Sequence, residues 1–360
     1  MLTRLKDAID VLRPRTAART RAAVDAAGAT LSQVQERLGQ VQERLGQLQT
    51  TQGEVLSRID ALTRTVDEMR LGLGELRAVA RRDAELDDSL DGLAALCDEA
   101  RLTAHVRSAI AAAPLVLEPF PHAVIRDFLP KDFYAALIRG LPPVELFGSA
   151  ADAKPQLTVP FSVGPIFSRR IWKYFVTDVV PRMMQEELVA KFRAPLEEWI
   201  AANWPALAAN PLGPPVELQT AEGRILLRRR GYVIRPHRDP KWGFLTVIMY
   251  LARKGDNAEW GTQLYSVDED RTARGAAPHW IDPAQCHRMV DVPFHRNTAL
   301  ALLNSWGAHG ASIPPDAEPP DLERYIYQFR IGPSAESVRA LCDMLSGEEL
   351  AAWAGKLGTY

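Results

Sequence analysis

Apolar residues recur at heptad spacing through the first part of the chain. Residues 34–47 read VQERLGQ twice, and the register of this repeat extends from residue 24 to residue 76. Of its sixteen core positions only Gln52 is polar. Apolar positions that alternate three and four residues apart over this length are typical of a left-handed coiled coil. The core positions are Val24, Ala27, Leu31, Val34, Leu38, Val41, Leu45, Leu48, Gln52, Val55, Ile59, Leu62, Val66, Met69, Leu73 and Leu76.

We therefore predict that residues 1–80 form an N-terminal α-helical coiled coil that joins copies of this chain or binds a partner helix. The competing interpretation is one amphipathic helix on a globular core. A helix of roughly 80 Å, at 1.5 Å per residue, is longer than most globular cores can cover. Arginines flank one side of the core positions and glutamines the other, a pattern that specifies no salt-bridged pair. The strand number (two, three or four) stays open.

The pattern changes after residue 80. Residues 81–114 are charged and then alanine-rich, which predicts a helical linker of one or two short helices. The segment HAVIRDFL at 122–129 predicts a strand. The segment PKDFYAALIRG predicts a helix that begins at Pro130 and stops at Gly140. Residues 182–203 predict another helix, and residues 336–360 a C-terminal helix and tail.

Short β-rich runs separated by glycine and proline turns dominate residues 216–332. Helices followed by many short strands predict an α+β domain built on a β-sandwich or barrel, which we place at residues 115–335. The apolar runs are RILLRR, LTVIMYLA, TQLYSV, TALALLN and RYIYQFRI.

Composition narrows the possible environments and partners. The chain has 43 Lys and Arg against 45 Asp and Glu, a net charge of -2, which provides no electrostatic reason to expect a nucleic-acid partner. The three cysteines, Cys97, Cys286 and Cys342, are widely spaced and suggest no disulfide framework. No apolar run approaches the ~20 residues of a membrane span. We expect a cytoplasmic protein without a membrane span.

The most informative histidine lies in the segment Arg235-Pro-His-Arg-Asp239. His237 and Asp239 are two residues apart at the end of a predicted strand, so their side chains project to the same side and can reach one metal ion. A third ligand from a distant strand would complete a facial triad of two histidines and one carboxylate, which suits ferrous iron. The alternative is a surface turn in which Asp239 pairs with Arg238 or Arg235.

Two polar residues lie on one face of the apolar strand that follows. Thr246 and Tyr250 are four residues apart, so both can point into a barrel interior. Buried hydroxyl groups need hydrogen-bond partners, and a bound dicarboxylate would supply them.

Residues 120–332 resemble the prolyl-hydroxylase-like branch of the Fe(II)/2-oxoglutarate oxygenases. The order of motifs matches: a strand ending in HxD, a TxxxYL strand, a turn with Pro and Asn, an apolar strand, then His309-Gly310 and a strand that opens with Arg324-Tyr325. The segment FPHAVIRDFLPKDFYAALI is also similar to the family's opening segment. The resemblance implies a double-stranded β-helix (jelly-roll) core at about residues 216–332.

The resemblance also implies a set of roles. His237, Asp239 and His309 would bind Fe(II), Arg324 would bind the distal carboxylate of 2-oxoglutarate, and Thr246 and Tyr250 would line the same pocket. The enzyme would be a dioxygenase that hydroxylates a substrate C–H bond and releases succinate and CO₂, with ascorbate as a candidate reductant.

Some features depart from the family pattern. Arg324 lies 15 residues after His309, a longer interval than usual, and a proline-rich insert accounts for the difference. Arg330 shares the face of Arg324 and is an alternative anchor. His295 is the alternative third ligand, although it precedes its strand and would lie at the wrong end of the barrel.

Two other functional classes fit the same residues. One is a coiled-coil scaffold whose jelly roll binds a ligand without catalysis, and the other is a cupin-like metalloenzyme that does not use 2-oxoglutarate. Residue patterns do not identify the substrate, which could be a small molecule, a glycan unit or a protein side chain.

Overall fold

The computed structural model describes residues 2–147, 156–157, 164–268, 280–304 and 306–354. The chain divides into two compact units, Met1–Leu73 and Gly74–Tyr360. Among the described residues, no helix combines the length and the apolar character needed to cross a membrane.

The first unit is helical throughout its described part. Helix α1 spans Leu2–Leu86, which confirms the predicted helix. From Leu31 to Leu76 the heptad core positions are exposed, for example Leu38 at 59% and Leu62 at 65%. The coiled coil itself stays a prediction, because the structure contains one chain.

Helices form one layer of the second unit. Within it the last turns of α1 bury Ala78 and Leu86, and Asp83 accepts a hydrogen bond from the Ile166 amide. The next helix of more than one turn, α3, buries Leu102 and Val106. The helices are α2 (Leu93–Leu96), α3 (Glu99–Ala112), α4 (Lys131–Arg139), α5 (Ile166–Tyr174), α6 (Gln185–Lys191), α7 (Arg193–Asn203), α8 (Ala335–Asp343) and α9 (Gly347–Ala354).

Helix α4 and the following helical region show how sequence sets the helix ends. Pro130 and Gly140 flank α4, as predicted.

The region predicted as one helix at 182–203 is instead interrupted. A π-helical segment, Phe175–Met184, contains Pro181, and α6 and α7 are separated at Phe192. Proline has no N–H to donate, so the helix accommodates it with a wider turn.

In the part of the chain that the structure describes, ten strands form two antiparallel sheets. They are β1 (His122–Arg126), β2 (Gln156–Leu157), β3 (Leu218–Arg228), β4 (Val233–His237), β5 (Leu245–Tyr250), β6 (Thr262–Val267), β7 (Cys286–Val292), β8 (Thr298–Leu303), β9 (Ala308–Ser312) and β10 (Arg324–Pro333). The six-stranded sheet has the order β1-β8-β5-β10-β3-β2, and the four-stranded sheet has the order β4-β9-β6-β7.

The pairing of the last eight strands is nested. Strand β3 pairs with β10, β4 with β9, β5 with β8 and β6 with β7, all antiparallel. This is the pairing of one long hairpin folded over into two facing sheets, the arrangement of a jelly roll. The predicted α+β class, with helices and an antiparallel β-sandwich, is therefore observed.

Strand β5 is buried on both faces, which explains its continuous apolar sequence. Val247 and Met249 pack in the cluster that contains the helices. Ile248 and Tyr250 alternate with them and pack between the sheets, where they meet Leu264 of β6. The six-stranded sheet thus lies between the helical layer and the four-stranded sheet, and the space between the two sheets is available for a site.

Strands β7 and β9 were not predicted. Strand β7 exposes much of its length, including Met289 at 60%, so its sequence CHRMVDV lacks a buried apolar run. Strand β9, with the sequence AHGAS, is short and rich in small residues. A Cβ atom at Gly310 would lie 2.9 Å from the Ile234 carbonyl oxygen, so the close approach of β4 and β9 favours glycine there.

Candidate metal centre

Three side chains converge where β4 meets β9. His237 is the last residue of β4, Asp239 follows it by two residues, and His309 lies in β9 directly opposite His237 in the strand register. The ring centroids of the two histidines are 4.3 Å apart, and His309 Nε2 is 3.8 Å from Asp239 Oδ2. One ligand atom from each residue lies within 4.8 Å of the others, and all three residues are buried. This spacing suits a single metal ion.

The ring of His237 is held by the backbone of its own strand. Its Nδ1 lies 2.9 Å from the Arg235 carbonyl oxygen, which can only accept a hydrogen bond. Nδ1 therefore carries the proton when the imidazole is neutral, and Nε2 keeps the lone pair that a metal ion needs.

The carboxylate of Asp239 is surrounded by donors. Oδ2 accepts from the Thr246 hydroxyl at 2.6 Å and from Gln328 Nε2 at 3.2 Å, and Oδ1 accepts from Arg330 Nη2 at 3.1 Å. Burial by itself favours the neutral acid, but Arg330, both histidines and Thr246 together outweigh it and hold the pKa of Asp239 far below its ordinary value. The carboxylate is therefore charged at neutral pH, as a metal ligand must be.

The side chain of Asn304 forms hydrogen bonds with the backbone of Asp239 and Pro240. Its Oδ1 accepts from the Asp239 amide at 2.9 Å, and its Nδ2 donates to the carbonyl oxygens of Asp239 at 2.7 Å and Pro240 at 3.2 Å. Asn304 is 7% exposed, so water competes little for these contacts. The side chain fixes the turn that follows His237.

A cavity of about 220 Å³ opens onto the three residues. Its walls combine apolar side chains from both sheets with several cationic and hydroxyl groups. Trp280 lies at this cavity with 50% of its surface exposed, 5.5 Å from the His237 ring. Besides the triad and Trp280, the lining residues are Arg224, Leu226, Arg228, Tyr232, Ile234, Pro240, Ile248, Thr262, Gly310, Gln328 and Arg330.

The residues predicted to bind 2-oxoglutarate differ in their position relative to this cavity. Arg324 is 1% exposed and is not among the lining residues; its Nη2 donates to Asn257 Oδ1, and its Nη1 is 3.8 Å from Asp256. The alternative, Arg330, lines the cavity and contacts Asp239. Thr246 is fully buried and donates to Asp239.

Tyr250 is also fully buried, and apart from Thr262 its hydroxyl has no hydrogen-bond partner within the described part of the chain. It packs against Phe294, with ring centroids 5.2 Å apart.

The remaining described histidines have other contacts. His105 Nε2 lies 2.7 Å from the Asp127 carbonyl oxygen, and His122 Nδ1 lies 2.8 Å from that of Phe120. His287 Nε2 lies 2.9 Å from Asp268 Oδ1 on an exposed face. His295, the alternative third ligand, follows β7 and is not among the residues that converge on the triad. His279 lies outside the described residues.

The surface-turn interpretation of Asp239 does not hold, because its ion pair is with Arg330. Arg238 instead donates from Nε to the Gly307 carbonyl oxygen at 2.8 Å.

Sequence reasoning missed four residues of the centre: Asn304, Gln328, Trp280 and Arg228. For Arg228 a signal exists, since a charged residue directly follows the apolar run ILL of a buried strand and needs a partner there. The other three are ordinary polar or aromatic residues whose positions depend on strand register.

No protein-family model matches the chain, and no curated protein shows significant sequence similarity to it. The chain is similar in fold to solved structures. Against AviO1 from Streptomyces viridochromogenes Tue57 the TM-score is 0.38 at 13% identity, covering 66% of this chain and 96% of that one. Against a prolyl-4-hydroxylase from Pseudomonas putida it is 0.34 at 14% identity, covering 64% and 99%. Against HygX from Streptomyces hygroscopicus, crystallised with nickel and 2-oxoglutarate, it is 0.36 at 13% identity, covering 59% and 83%.

Proposed function

We propose that this chain is an Fe(II)- and 2-oxoglutarate-dependent dioxygenase that hydroxylates a C–H bond of its substrate. The observation that carries the proposal is the buried convergence of His237, Asp239 and His309 at one cavity. Two histidines and one carboxylate on one face of a metal, with positions left open, are the ligand set of non-haem Fe(II) oxygenases.

The donor set fits ferrous iron on chemical grounds. Nitrogen donors from two imidazoles and one charged oxygen donor suit this ion better than Ca²⁺ or Mg²⁺, which prefer oxygen ligands throughout. When bound, the iron would supply the activation of dioxygen, coupled to conversion of 2-oxoglutarate to succinate and CO₂. The chain's residues would hold the ligands in place. Thr246, Gln328 and Arg330 orient the Asp239 carboxylate, and the Arg235 carbonyl oxygen orients His237.

The cavity suits a small anionic cosubstrate. Its volume, about 220 Å³, is below the ~300–1,000 Å³ of pockets that hold drug-sized ligands. Arg224, Arg228 and Arg330 make its wall cationic. Leu226 and Ile248 on its wall are almost fully buried, so a carboxylate beside them would bind in an environment of low dielectric constant.

Trp280 supports a substrate position on the outer side of the metal centre. It is half exposed and beside His237, and Arg235 lies over its ring at 5.6 Å from the centroid. An exposed aromatic ring at this place can stack against an apolar or ring-shaped substrate.

The experiment that tests the proposal is reconstitution of the purified protein with Fe(II) without oxygen, followed by 2-oxoglutarate and air. We expect slow formation of succinate without added substrate. His237→Ala should abolish it, whereas His287→Ala, an exposed histidine on β7, should not. Metal binding without 2-oxoglutarate binding would support the cupin-like alternative. Binding of both with no turnover across a broad substrate panel would support the scaffold.

We also propose that the heptad positions of α1 bury one another in an oligomer of this chain or with a partner helix. One feature supports burial against other helices. From Leu31 to Leu76 every heptad core position except Gln52 is both apolar and exposed. The flanking arginines and glutamines do not distinguish self-association from a partner helix.

A further inference from the structure

A buried arginine of β3 faces the cavity and has no anionic partner among the described residues. Arg228 is the last residue of β3, is 6% exposed, and lines the same cavity as the triad. Its Nε and Nη1 are enclosed and have no hydrogen-bond acceptor among the residues that the structure describes. Its guanidinium lies over the Tyr232 ring, 5.1 Å from the centroid. A buried cation with unmet N–H groups is costly unless a ligand meets them.

The two neighbouring arginines already have carboxylate or amide acceptors. Arg324 is the register partner of Arg228 on β10, and its guanidinium contacts Asn257 and Asp256. Arg330 donates to Asp239. Each has a buried Nε without an acceptor, but Arg228 has two such nitrogens and no ion pair in the described structure. Of these three arginines, Arg228 is the one whose charge is available for a ligand.

Two hydroxyl groups lie in the same part of the sandwich. Tyr250 Oη and Thr262 Oγ1 are buried beside each other, and neither has a further hydrogen-bond partner within the described residues. Burial raises the pKa of Tyr250 to about 12, although Thr262 and Arg228 both act to lower it. The phenol therefore stays protonated at neutral pH and can donate a hydrogen bond.

We propose that Arg228, assisted by the hydroxyls of Tyr250 and Thr262, binds the distal carboxylate of 2-oxoglutarate, a role that the sequence resemblance implies for Arg324. The inference rests on the proposed function. Gln328, which contacts Asp239, is the register partner of Arg224, and Arg228 is four residues further along β3, roughly 13 Å of strand. The long arginine side chain and a five-carbon dicarboxylate together span this interval.

Arg228 is a positioning residue in this scheme. It orients the cosubstrate so that the 2-oxo acid end faces the triad, and it does not touch the reacting atoms. A guanidinium can bind a carboxylate through two parallel N–H···O bonds, which sets direction as well as affinity.

The test is calorimetric titration without oxygen, on the Mn(II)-loaded protein, with 2-oxoglutarate and with 2-oxobutyrate, which lacks the distal carboxylate. Wild type should prefer 2-oxoglutarate. Arg228→Gln should weaken 2-oxoglutarate binding by about 10- to 100-fold and leave 2-oxobutyrate binding unchanged, so that the preference disappears. Arg229→Gln, the same substitution at the next residue, should keep the preference.

Two further variants keep the inference testable should Arg228→Gln fold poorly. Tyr250→Phe removes one hydroxyl without changing shape and should lower affinity for 2-oxoglutarate alone. Arg324→Gln should retain the preference. Loss of the preference in Arg324→Gln but not in Arg228→Gln would overturn the inference and leave the proposed function intact. Failure of the wild type to bind either 2-oxo acid would overturn the proposed function itself.

Discussion

Replacing Asn304 with alanine should separate the support of the proposed metal centre from its three proposed ligands. Asn304 touches no metal position, but it forms three hydrogen bonds with the backbone of Asp239 and Pro240. The substitution removes these bonds and leaves the buried Asp239 amide without its acceptor. The turn that places the carboxylate opposite the two histidines is then no longer held.

The magnitude follows from the number of bonds. A buried hydrogen bond contributes about 1 kcal/mol net, and an unsatisfied buried backbone group costs about 1–3 kcal/mol. We therefore expect Asn304→Ala to lower the free energy of unfolding of the metal-free protein by about 2–4 kcal/mol. Loss of a group that orients a metal ligand typically weakens metal binding by about 10- to 100-fold, and we expect that range for Mn(II) here.

A second asparagine provides the matched control. Asn297 is 6% exposed and holds the backbone of Leu129 in the same manner, accepting from its amide at 3.0 Å and donating to its carbonyl oxygen at 2.6 Å. Its φ of 50° also disfavours alanine. Asn297→Ala should lose at least as much stability as Asn304→Ala without weakening metal binding.

Urea denaturation of the metal-free variants and Mn(II) titration at a temperature where all are folded measure the two effects. Equal Mn(II) affinity for wild type and Asn304→Ala, alongside a clear loss of stability, would refute the role of Asn304 in placing Asp239.

Three other predictions follow. Leu38→Asp should lower the mass of the oligomer measured by sedimentation equilibrium, because it puts a charge at an apolar heptad position; an unchanged mass would contradict self-association. Burial lowers the pKa of His122 below 6.5, so the unfolded chain binds its proton first and stability should fall as pH drops from about 7 to 5; His122→Gln should show a shallower fall in denaturation curves. In Gly243→Ala the new Cβ would lie 2.4 Å from Arg330 Cδ, so the arginine must move and Mn(II) affinity should drop, whereas Gly92→Ala, with nothing within 4 Å, should bind Mn(II) normally.

Much of the local structure could be predicted because its signals lie between near neighbours. The heptad spacing specifies α1, and Pro130 with Gly140 specify the ends of α4. The pairing of His237 with Asp239 depends only on the two-residue period of a strand. Strands β7 and β9 were not predicted from the sequence, because they bury few large apolar side chains and are held by pairing with distant strands.

The residues proposed to bind 2-oxoglutarate were also difficult to predict, because their roles depend on contacts with distant parts of the chain. Side chains alternate between the two faces of a strand, so the sequence places Arg324 and Arg330 on one face of β10. This alternation does not show which of the two binds a ligand, and it does not show which residues of β3 lie nearby. Whether a guanidinium reaches an open cavity or an existing carboxylate depends on the loop that brings Asp256 to Arg324 and on the turn that brings Asp239 to Arg330.

The sequence by itself determined the helical first unit, the α+β class of the second, and the identity of the residues with metal-binding chemistry. Tertiary structure alone decided that His309 lies opposite His237 and that Asn304 holds the Asp239 turn. It also decided that Arg228, at the cavity, has N–H groups with no acceptor among the described residues. The physical reason is the distance along the chain over which each interaction acts. Periodicity and helix ends arise from residues within a few positions of one another, whereas a metal centre needs register between strands about seventy residues apart in the chain.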